Sequence, residues 1–163
     1  MISQFFVLSL RGDTIVSRDY IGDVQKVKTS AEVFYHKVKR WSEDSEDEAP
    51  PVFCVEGVQY FHMKMGGVFL VATSRKNVSP ALILELLHRV ANIIKDYCGV
   101  LNEESVRQNF VLFYELVDEI IDYGYPQNTT TQVLKRYVLN TPILPEQLPM
   151  KAGNLLIKRE GLA

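Results

Sequence analysis

The feature of this sequence that most constrains its fold is a pair of short segments that are largely apolar on consecutive residues. One lies at the amino terminus, between Ile2 and Leu10, and the other runs from Val68 to Thr73. A strand with one solvated face alternates apolar and polar residues, so an apolar run without alternation predicts a strand covered on both faces. Both strands should therefore lie in the centre of a sheet that has helices on both sides.

Turn residues place these two strands in a hairpin and a meander. Arg11-Gly12-Asp13 separates the first strand from a more polar one, Thr14 to Tyr20, which is predicted to be an edge strand. Two more strands, Val52 to Val55 and Val58 to Lys64, precede the second apolar segment, and glycine-containing turns join these three. All the strands together should form one sheet.

Four segments carry apolar residues at helical spacing. They extend from an N-cap at Thr29 or Ser30 to Trp41, from Ser79-Pro80 to Gly99, from Asn102 to Gly124, and from Thr130 to Val138. The proline after Ser79 suits the first position of a helix, where its missing N–H costs nothing. The element order ββαβββαα, with one further short helix, predicts an α/β (α+β) domain.

Two segments lack a face that a core could bury. The stretch from Ser42 to Pro51 carries five carboxylates and ends in prolines, which predicts a mobile, solvated loop. From Thr141 onward, three prolines and no clear periodicity predict a linker. We therefore expect one domain over residues 1–140 and a flexible linker over residues 141–163.

Charge and cysteine usage narrow the class of function. Eighteen basic and twenty acidic residues give a net charge of −2, which does not favour binding along a nucleic acid backbone. Cys54 and Cys98 lack metal-ligand spacing and are interpreted as reduced, mostly buried thiols, as expected in the cytosol. No window approaches the roughly 18 apolar residues of a membrane span, so any membrane contact is expected to be peripheral.

The residue types that carry catalysis do not cluster in the sequence. Asp118, Glu119 and Asp122 lie beside the apolar face of the third long helix, which indicates a solvated or partner-facing surface. The three histidines are isolated and lack the spacing of zinc ligands. We therefore predict no catalytic residue, no metal site, no cofactor and no small-molecule substrate.

Several long motifs, in order along the chain, resemble the medium (mu) chains of adaptor complexes. They are Met1-Ile2-Ser3-Gln4-Phe5-Phe6-Val7-Leu8-Ser9, then Arg11-Gly12-Asp13, then Asn77-Val78-Ser79-Pro80, and the segment from Asn109 to Gln127. Within the family, Ile2-Ser3-Gln4-Phe5-Phe6 and the segment from Asp96 to Leu101 are most similar to the fourth, clathrin-independent adaptor complex. Together these motifs span nearly all of residues 1–138.

The resemblance implies a longin fold, also called SNARE-like: a five-stranded, mainly antiparallel sheet with one helix on one face and two long helices on the other. It implies a structural subunit of a heterotetrameric vesicle-coat adaptor that docks on a large beta-type subunit, peripheral on trans-Golgi network or endosomal membranes. In this family a separate carboxy-terminal domain binds cargo, and we expect that domain to be absent from a chain that stops at Ala163.

The groove between the first helix and a neighbouring strand is the surface where we expect a partner to bind, since an edge strand beside a helix offers a natural docking site. The candidate contact residues are Phe34, Lys37, Val38 and Trp41 on the helix and Phe53 on the strand. An alternative of a different class is a longin-type regulator that binds a SNARE helix or a small GTPase in membrane trafficking.

Overall fold

The computed structural model describes residues 1–22, 24–127 and 130–144, with the backbone alone described at 24–27. In chain order the elements are β1 (Gln4–Ser9), β2 (Thr14–Asp19), α1 (Val24–Asp44), β3 (Val52–Val55), β4 (Val58–Met65), β5 (Val68–Ser74), α2 (Pro80–Cys98), α3 (Glu103–Gln108), α4 (Phe110–Ile120), β6 (Ile121–Asp122), β7 (Tyr125–Pro126) and α5 (Thr131–Tyr137). The predicted hairpin, meander and last short helix are confirmed.

The five long strands form one antiparallel sheet in the order β2-β1-β5-β4-β3. The two strands with unbroken apolar runs, β1 and β5, pair with each other, and every residue in them is buried. The more polar β2 lies at one edge of the sheet, and β3 lies at the other. The predicted central and edge positions are therefore confirmed.

Side chains of β1 and β5 point alternately to the two faces of the sheet, as the period of a strand requires. On one face, Phe6, Leu8 and Val71 pack in a cluster with Phe34 of α1. On the other, the alternate residues of the same strands pack in a larger cluster with buried residues of α2, α3, α4 and α5. The predicted longin-like architecture, with one helix opposite the others, is confirmed.

Helix α1 is longer at both ends than the sequence predicted. It begins at Val24 rather than at Thr29 or Ser30, and it ends at Asp44 rather than at Trp41. Thr and Ser inside a helix cost only tenths of a kcal/mol relative to better helix formers, so a potential cap can be passed over. The predicted acidic loop is shortened accordingly, because Glu43 and Asp44 belong to the last turn of the helix.

The predicted third long helix is divided into α3 and α4 at Asn109, whose φ and ψ are −111° and 27°. The Asn109 amide donates to the carbonyl of Ser105 at 2.9 Å and to that of Ile143 at 3.1 Å, and its Oδ1 accepts from the Ile143 N–H at 2.7 Å. The helix also stops at Ile120 instead of continuing to Gly124. Its last predicted turn forms the small β6–β7 hairpin.

Of the three capping residues predicted at the ends of α2 and α3, two act as expected and one does not. The Asn102 side chain accepts from the Ser105 N–H at 2.7 Å, and Gly99, with φ 76°, donates its N–H to Lys95 after α2. Ser79 precedes α2, but its side chain makes no capping hydrogen bond. Its carbonyl instead accepts from the Ile83 N–H at 3.3 Å.

The two cysteines lie where the sequence placed them, in β3 and at the end of α2, but their burial differs. Cys98 is buried and Cys54 is exposed. Cys54 lies on the edge strand β3 and belongs to neither apolar cluster. The expectation of two mostly buried thiols is therefore wrong for Cys54.

The start of the predicted linker lies within the described residues, where 141–144 form neither helix nor strand. Its remaining residues, 145–163, lie outside them. Among the helices that the structure describes, none combines the length and the apolar character that crossing a membrane requires.

Candidate partner-binding surface

Aromatic rings hold helix α1 on the sheet. Phe34 is fully buried, and its ring centre lies 5.1 Å from that of His62 and 5.6 Å from that of Phe69, both in edge-to-face geometry. It also stacks on Phe53 at 5.9 Å and on Tyr60 at 6.2 Å. Such pairs contribute about 0.5–1.5 kcal/mol each beyond the area they bury, so Phe34 anchors the helix.

Phe34 consequently differs from the other predicted contact residues. Its side chain has no exposed surface, so a partner cannot touch it while α1 stays on the sheet. Phe53, on the edge strand β3, is half-buried and stacks on Tyr60 at 5.3 Å. Phe34 is therefore a core residue that positions α1 beside β3. A partner that binds there can touch only the neighbours of Phe34 on the surface.

The last two turns of α1 carry an exposed aromatic and basic surface. The Trp41 side chain is 36% exposed, and the Lys37 Nζ lies 5.8 Å from the centre of its ring, within the range of a cation–π contact. These two residues line a cavity of about 410 Å³ together with Arg40, Asp44, Ser45 and Asp47. We call this the Trp41 cavity.

A second cavity, of about 460 Å³, lies between α1 and β4, beneath the acidic segment, and we call it the acidic groove. Its lining residues are Val38, Ser42, Ser45, Glu46, Asp47, Glu48, Ala49, Pro51, His62, Met63, Lys64 and Phe69. Ser45 and Asp47 also line the Trp41 cavity, so the two cavities adjoin. The acidic segment, predicted to be merely solvated, thus forms part of a concave surface.

His62 lines the acidic groove and is 7% exposed. Its Nε2 is 2.7 Å from the carbonyl oxygen of Pro50, which can only accept, so Nε2 carries the proton. Burial lowers the pKa of His62, although the hydrogen bond to Pro50 and the charge of Glu48 oppose that change. The ring is therefore neutral near pH 7, and its Nδ1 is an acceptor that has no hydrogen-bond partner among the described residues.

The structure separates the five predicted contact residues into three settings. Lys37 and Trp41 share the Trp41 cavity, Val38 lines the acidic groove, and Phe53 lies against the buried Phe34. Residues that the sequence interpretation missed are His62 and the carboxylates of the groove. His62 could have been found, because it follows Tyr60 by two residues in β4 and so must face α1.

The acids on the opposite side of the molecule have a structural role in one case. Arg18 of β2 donates to both carboxylate oxygens of Asp118 on α4, with both distances 2.7 Å, and its guanidinium lies 4.3 Å from the centre of the Tyr114 ring. This bidentate pair ties the edge strand to the helix. Glu119 and Asp122 are exposed, and across the described residues no group of three or more His, Cys, Asp or Glu side chains could hold a metal ion.

Proteins similar in sequence include mu subunits of adaptor complexes from distant organisms. The chain is 62% identical over 144 residues to the AP-4 complex subunit mu of Arabidopsis thaliana, an alignment that covers 88% of this chain and 32% of the relative. It is 43% identical to the AP-4 complex subunit mu of Dictyostelium discoideum, covering 87% of this chain and 26% of the relative. The AP-4 complex subunit mu-1 of Homo sapiens is also 43% identical, in an alignment that covers 85% of this chain and 30% of the relative.

The chain thus spans about a third or less of the length of these relatives. No family model matches it. A comparison of folds finds a similar chain in a structure described as a homology model of the full-length AP-3 complex in a stretched open conformation. The TM-score is 0.61 at 16% identity, and the match covers 99% of this chain and 96% of the other, which is a likeness of fold.

The sequence relatives and the fold agree on one family. The alignment with the plant protein, at 62% identity, and the alignment with the human protein, at 43% identity, each cover more than four-fifths of the chain. The sheet with α1 on one face and the remaining helices on the other is the architecture that the resemblance implied. The chain belongs to the adaptor-complex medium-chain family, and its described body is a mu-type amino-terminal domain.

Proposed function

We propose that this chain is part of a structural, non-catalytic subunit of a heterotetrameric adaptor complex that acts in vesicle-mediated protein transport. The observation that carries the proposal is the 62% identity, over 88% of the chain, to a protein named as an AP-4 complex subunit mu. Its role is to dock on a large beta-type subunit. The complex then acts peripherally on trans-Golgi network or endosomal membranes.

The proposed contact with the large subunit is the outer surface of α1 next to β3. Trp41 supplies an exposed aromatic side chain beside the Lys37 ammonium, and tryptophan is among the residues that contribute most to protein interfaces. Val38 and Phe53 extend this surface toward the sheet. Phe34 supports it from below, because its ring is buried against Phe53.

We also propose that residues 1–140 form the folded module and that residues 141–163 form a linker. The hydrogen bonds between Asn109 and Ile143 indicate that the first linker residues are held on the module. A limited-proteolysis map would test this division, since cleavage before residue 140 would place the boundary earlier.

Co-purification with the large beta-type subunit of the same adaptor complex tests the proposal. Wild-type chain should bind it, and a double variant with Lys37→Ala and Trp41→Ala should bind at least about ten-fold more weakly, because truncating a tryptophan that is an interface hot spot costs about 2 kcal/mol or more. Phe34→Ala is unsuitable for this purpose, since loss of binding would follow from damage to the core.

Tyr123→Ala is the matched control, because Tyr123 is 82% exposed and lies in the turn between β6 and β7. It removes an exposed ring without altering the core and should leave binding unchanged. If Tyr123→Ala abolished binding and the Lys37 and Trp41 variant did not, the contact surface would be wrong while the adaptor proposal stood. If wild-type chain bound a small GTPase or a SNARE helix and no large subunit, the adaptor proposal itself would fail.

A further inference from the structure

We propose that the acidic groove binds a short segment of another protein in which aliphatic side chains stand beside lysine or arginine residues. This inference goes beyond docking on a large subunit and does not depend on it, because it concerns the cavity between α1 and β4. Three independent features of the groove support it: the charge of its rim, the apolar character of its floor, and a buried acceptor that lacks a donor.

The rim of the groove is negatively charged. Glu46, Asp47 and Glu48 are consecutive, exposed and among its lining residues, and against these three carboxylates the lining holds one ammonium group, that of Lys64. A cleft with an excess of one sign of charge concentrates ligands of the opposite sign and repels those of the same sign. The rim therefore favours a cationic ligand over an acidic one.

The floor of the groove is apolar and of limited size. Val38 of α1 and Phe69 of β5 belong to the cluster beneath the helix, and Pro51 adds apolar surface at the entrance to β3. A volume of about 460 Å³ lies in the range of pockets that enclose a small ligand, which suits a few side chains and not a folded domain. Aliphatic side chains in a short extended segment meet both conditions.

The His62 ring supplies the observation that separates this groove from an ordinary acidic surface. Its Nε2–H donates to Pro50, so Nδ1 is a buried acceptor to which no residue in the described part of the chain donates, a state that costs free energy. A lysine ammonium, an arginine guanidinium or a peptide N–H can donate to this atom, whereas a carboxylate cannot. Because Nδ1 is buried in this structure, a bound segment would have to displace the atoms that cover it.

A set of three labelled hexapeptides tests the inference by fluorescence anisotropy on the full chain. Lys-Lys-Leu-Leu-Lys-Lys matches both the rim and the floor, Lys-Lys-Ser-Ser-Lys-Lys matches the rim alone, and Glu-Glu-Leu-Leu-Glu-Glu matches the floor alone. The first should bind at least about ten-fold more tightly than either of the others. Equal binding of the serine peptide, equal binding of the glutamate peptide, or no binding of the first at millimolar concentration would each overturn the inference.

A triple variant with Glu46→Gln, Asp47→Asn and Glu48→Gln removes the charge of the rim without touching the core. It should weaken binding of the lysine–leucine peptide about ten-fold at low salt, and raising the salt concentration should reduce the difference from the wild type. Binding unaffected by this triple change would overturn the role of the groove.

A second triple variant with Glu85→Gln, Glu119→Gln and Asp122→Asn makes the same change of net charge at exposed residues outside the groove. It should leave peptide binding unchanged. If it weakened binding as much as the first triple variant, the peptide would be responding to the net charge of the chain and not to a site.

His62→Gln tests the buried acceptor separately. A glutamine amide can still donate to the Pro50 carbonyl, but it places no acceptor where Nδ1 stands. We expect peptide binding about five-fold weaker, with the circular dichroism spectrum of the wild type. Unchanged peptide affinity in a folded His62→Gln variant would contradict the hydrogen bond to Nδ1. Large-subunit binding measured on the same variants keeps the two proposals apart, since either can fail while the other holds.

Discussion

The two glycines in the turn between β4 and β5 are required for different physical reasons. Both have positive φ, 61° at Gly66 and 80° at Gly67. A Cβ atom at Gly66 would overlap the carbonyl oxygen of Leu101, whereas one at Gly67 would meet no atom within 4 Å. The sequence predicted the turn, but it could not predict that the loop after α2 packs against one of its two glycines.

Alanine substitutions at these glycines should therefore differ in cost. Gly66→Ala combines a left-handed backbone with a steric overlap and should lower the free energy of unfolding by about 3 kcal/mol or more. Gly67→Ala imposes the left-handed backbone conformation on alanine without a steric overlap and should lower the free energy of unfolding by about 1 kcal/mol. Urea unfolding of the two variants measures the difference. Equal costs would mean that the turn moves freely away from Leu101.

His62 should make the stability of the fold depend on pH above the range where carboxylates titrate. Its pKa is lowered in the folded state by burial, so the unfolded chain binds the proton first as the pH falls. The stabilisation that comes from burying neutral His62 is complete above the ordinary histidine pKa of about 6.5. It is lost as the pH falls toward the lower pKa of His62 in the folded state. The slope cannot exceed about 1.4 kcal/mol per pH unit for one proton.

The free energy of unfolding, measured by urea titration between pH 7.5 and pH 5.5, should accordingly decrease with falling pH. His62→Gln should flatten this dependence, because glutamine does not titrate. His36 and His88 are exposed and remain in both proteins as an internal reference. The same slope in both proteins would assign the effect to groups other than His62.

Among the predicted contact residues, Phe34 shows where helical periodicity stops being informative. Spacing alone correctly placed it on the apolar face of α1 with Val38. It could not reveal that rings from four strands, β1, β3, β4 and β5, pack on Phe34, because those contacts join residues far apart in sequence. The buried acceptor on His62 was hidden for the same reason, since it depends on the path of Pro50.

At the scale of the element, periodicity predicted which segments are helical better than it predicted where they end. The helical face of α1 was recognised, but the start at Val24 was not, because no residue there forces a boundary. The division between α3 and α4 was missed because Asn109 is polar but otherwise compatible with a helix. Its partner, Ile143, lies in a segment with no periodicity of its own.

Asn109→Ala should release the segment at 141–144 while leaving α3 and α4 in place. The substitution removes two side-chain hydrogen bonds to the Ile143 backbone and one to the Ser105 carbonyl. We expect a loss of about 1–3 kcal/mol in the free energy of unfolding. Hydrogen exchange at the Ile143 amide should become at least about ten-fold faster, because the opening is local.

Asn140→Ala is the control for this measurement. It removes an exposed hydrogen bond to Glu115 in the same region and should leave exchange at Ile143 nearly unchanged. Equal acceleration in both variants would indicate that the segment is held by contacts other than the Asn109 amide.

At the scale of the whole molecule, the two apolar clusters are not independent, because the same strands supply both. In β1, Phe5 and Val7 belong to one cluster while Phe6 and Leu8 belong to the other. Removing α1 would expose one whole face of strands whose other face still packs on the remaining helices. The fold should therefore unfold as one cooperative unit, as single domains of this size usually do.

The chain contains one tryptophan, Trp41, near the end of α1, which makes this cooperativity measurable. Trp41 fluorescence and far-ultraviolet circular dichroism should give the same urea midpoint and slope, because the loss of α1 and the loss of the other helices are one event. In a Trp41→Phe background, Phe110→Trp moves the reporter to an exposed position on α4 and should give that midpoint again. A Trp41 transition at lower urea than the Phe110→Trp transition would show that α1 leaves the sheet first. In that case the Trp41 cavity and the acidic groove would open while the rest of the domain stays folded.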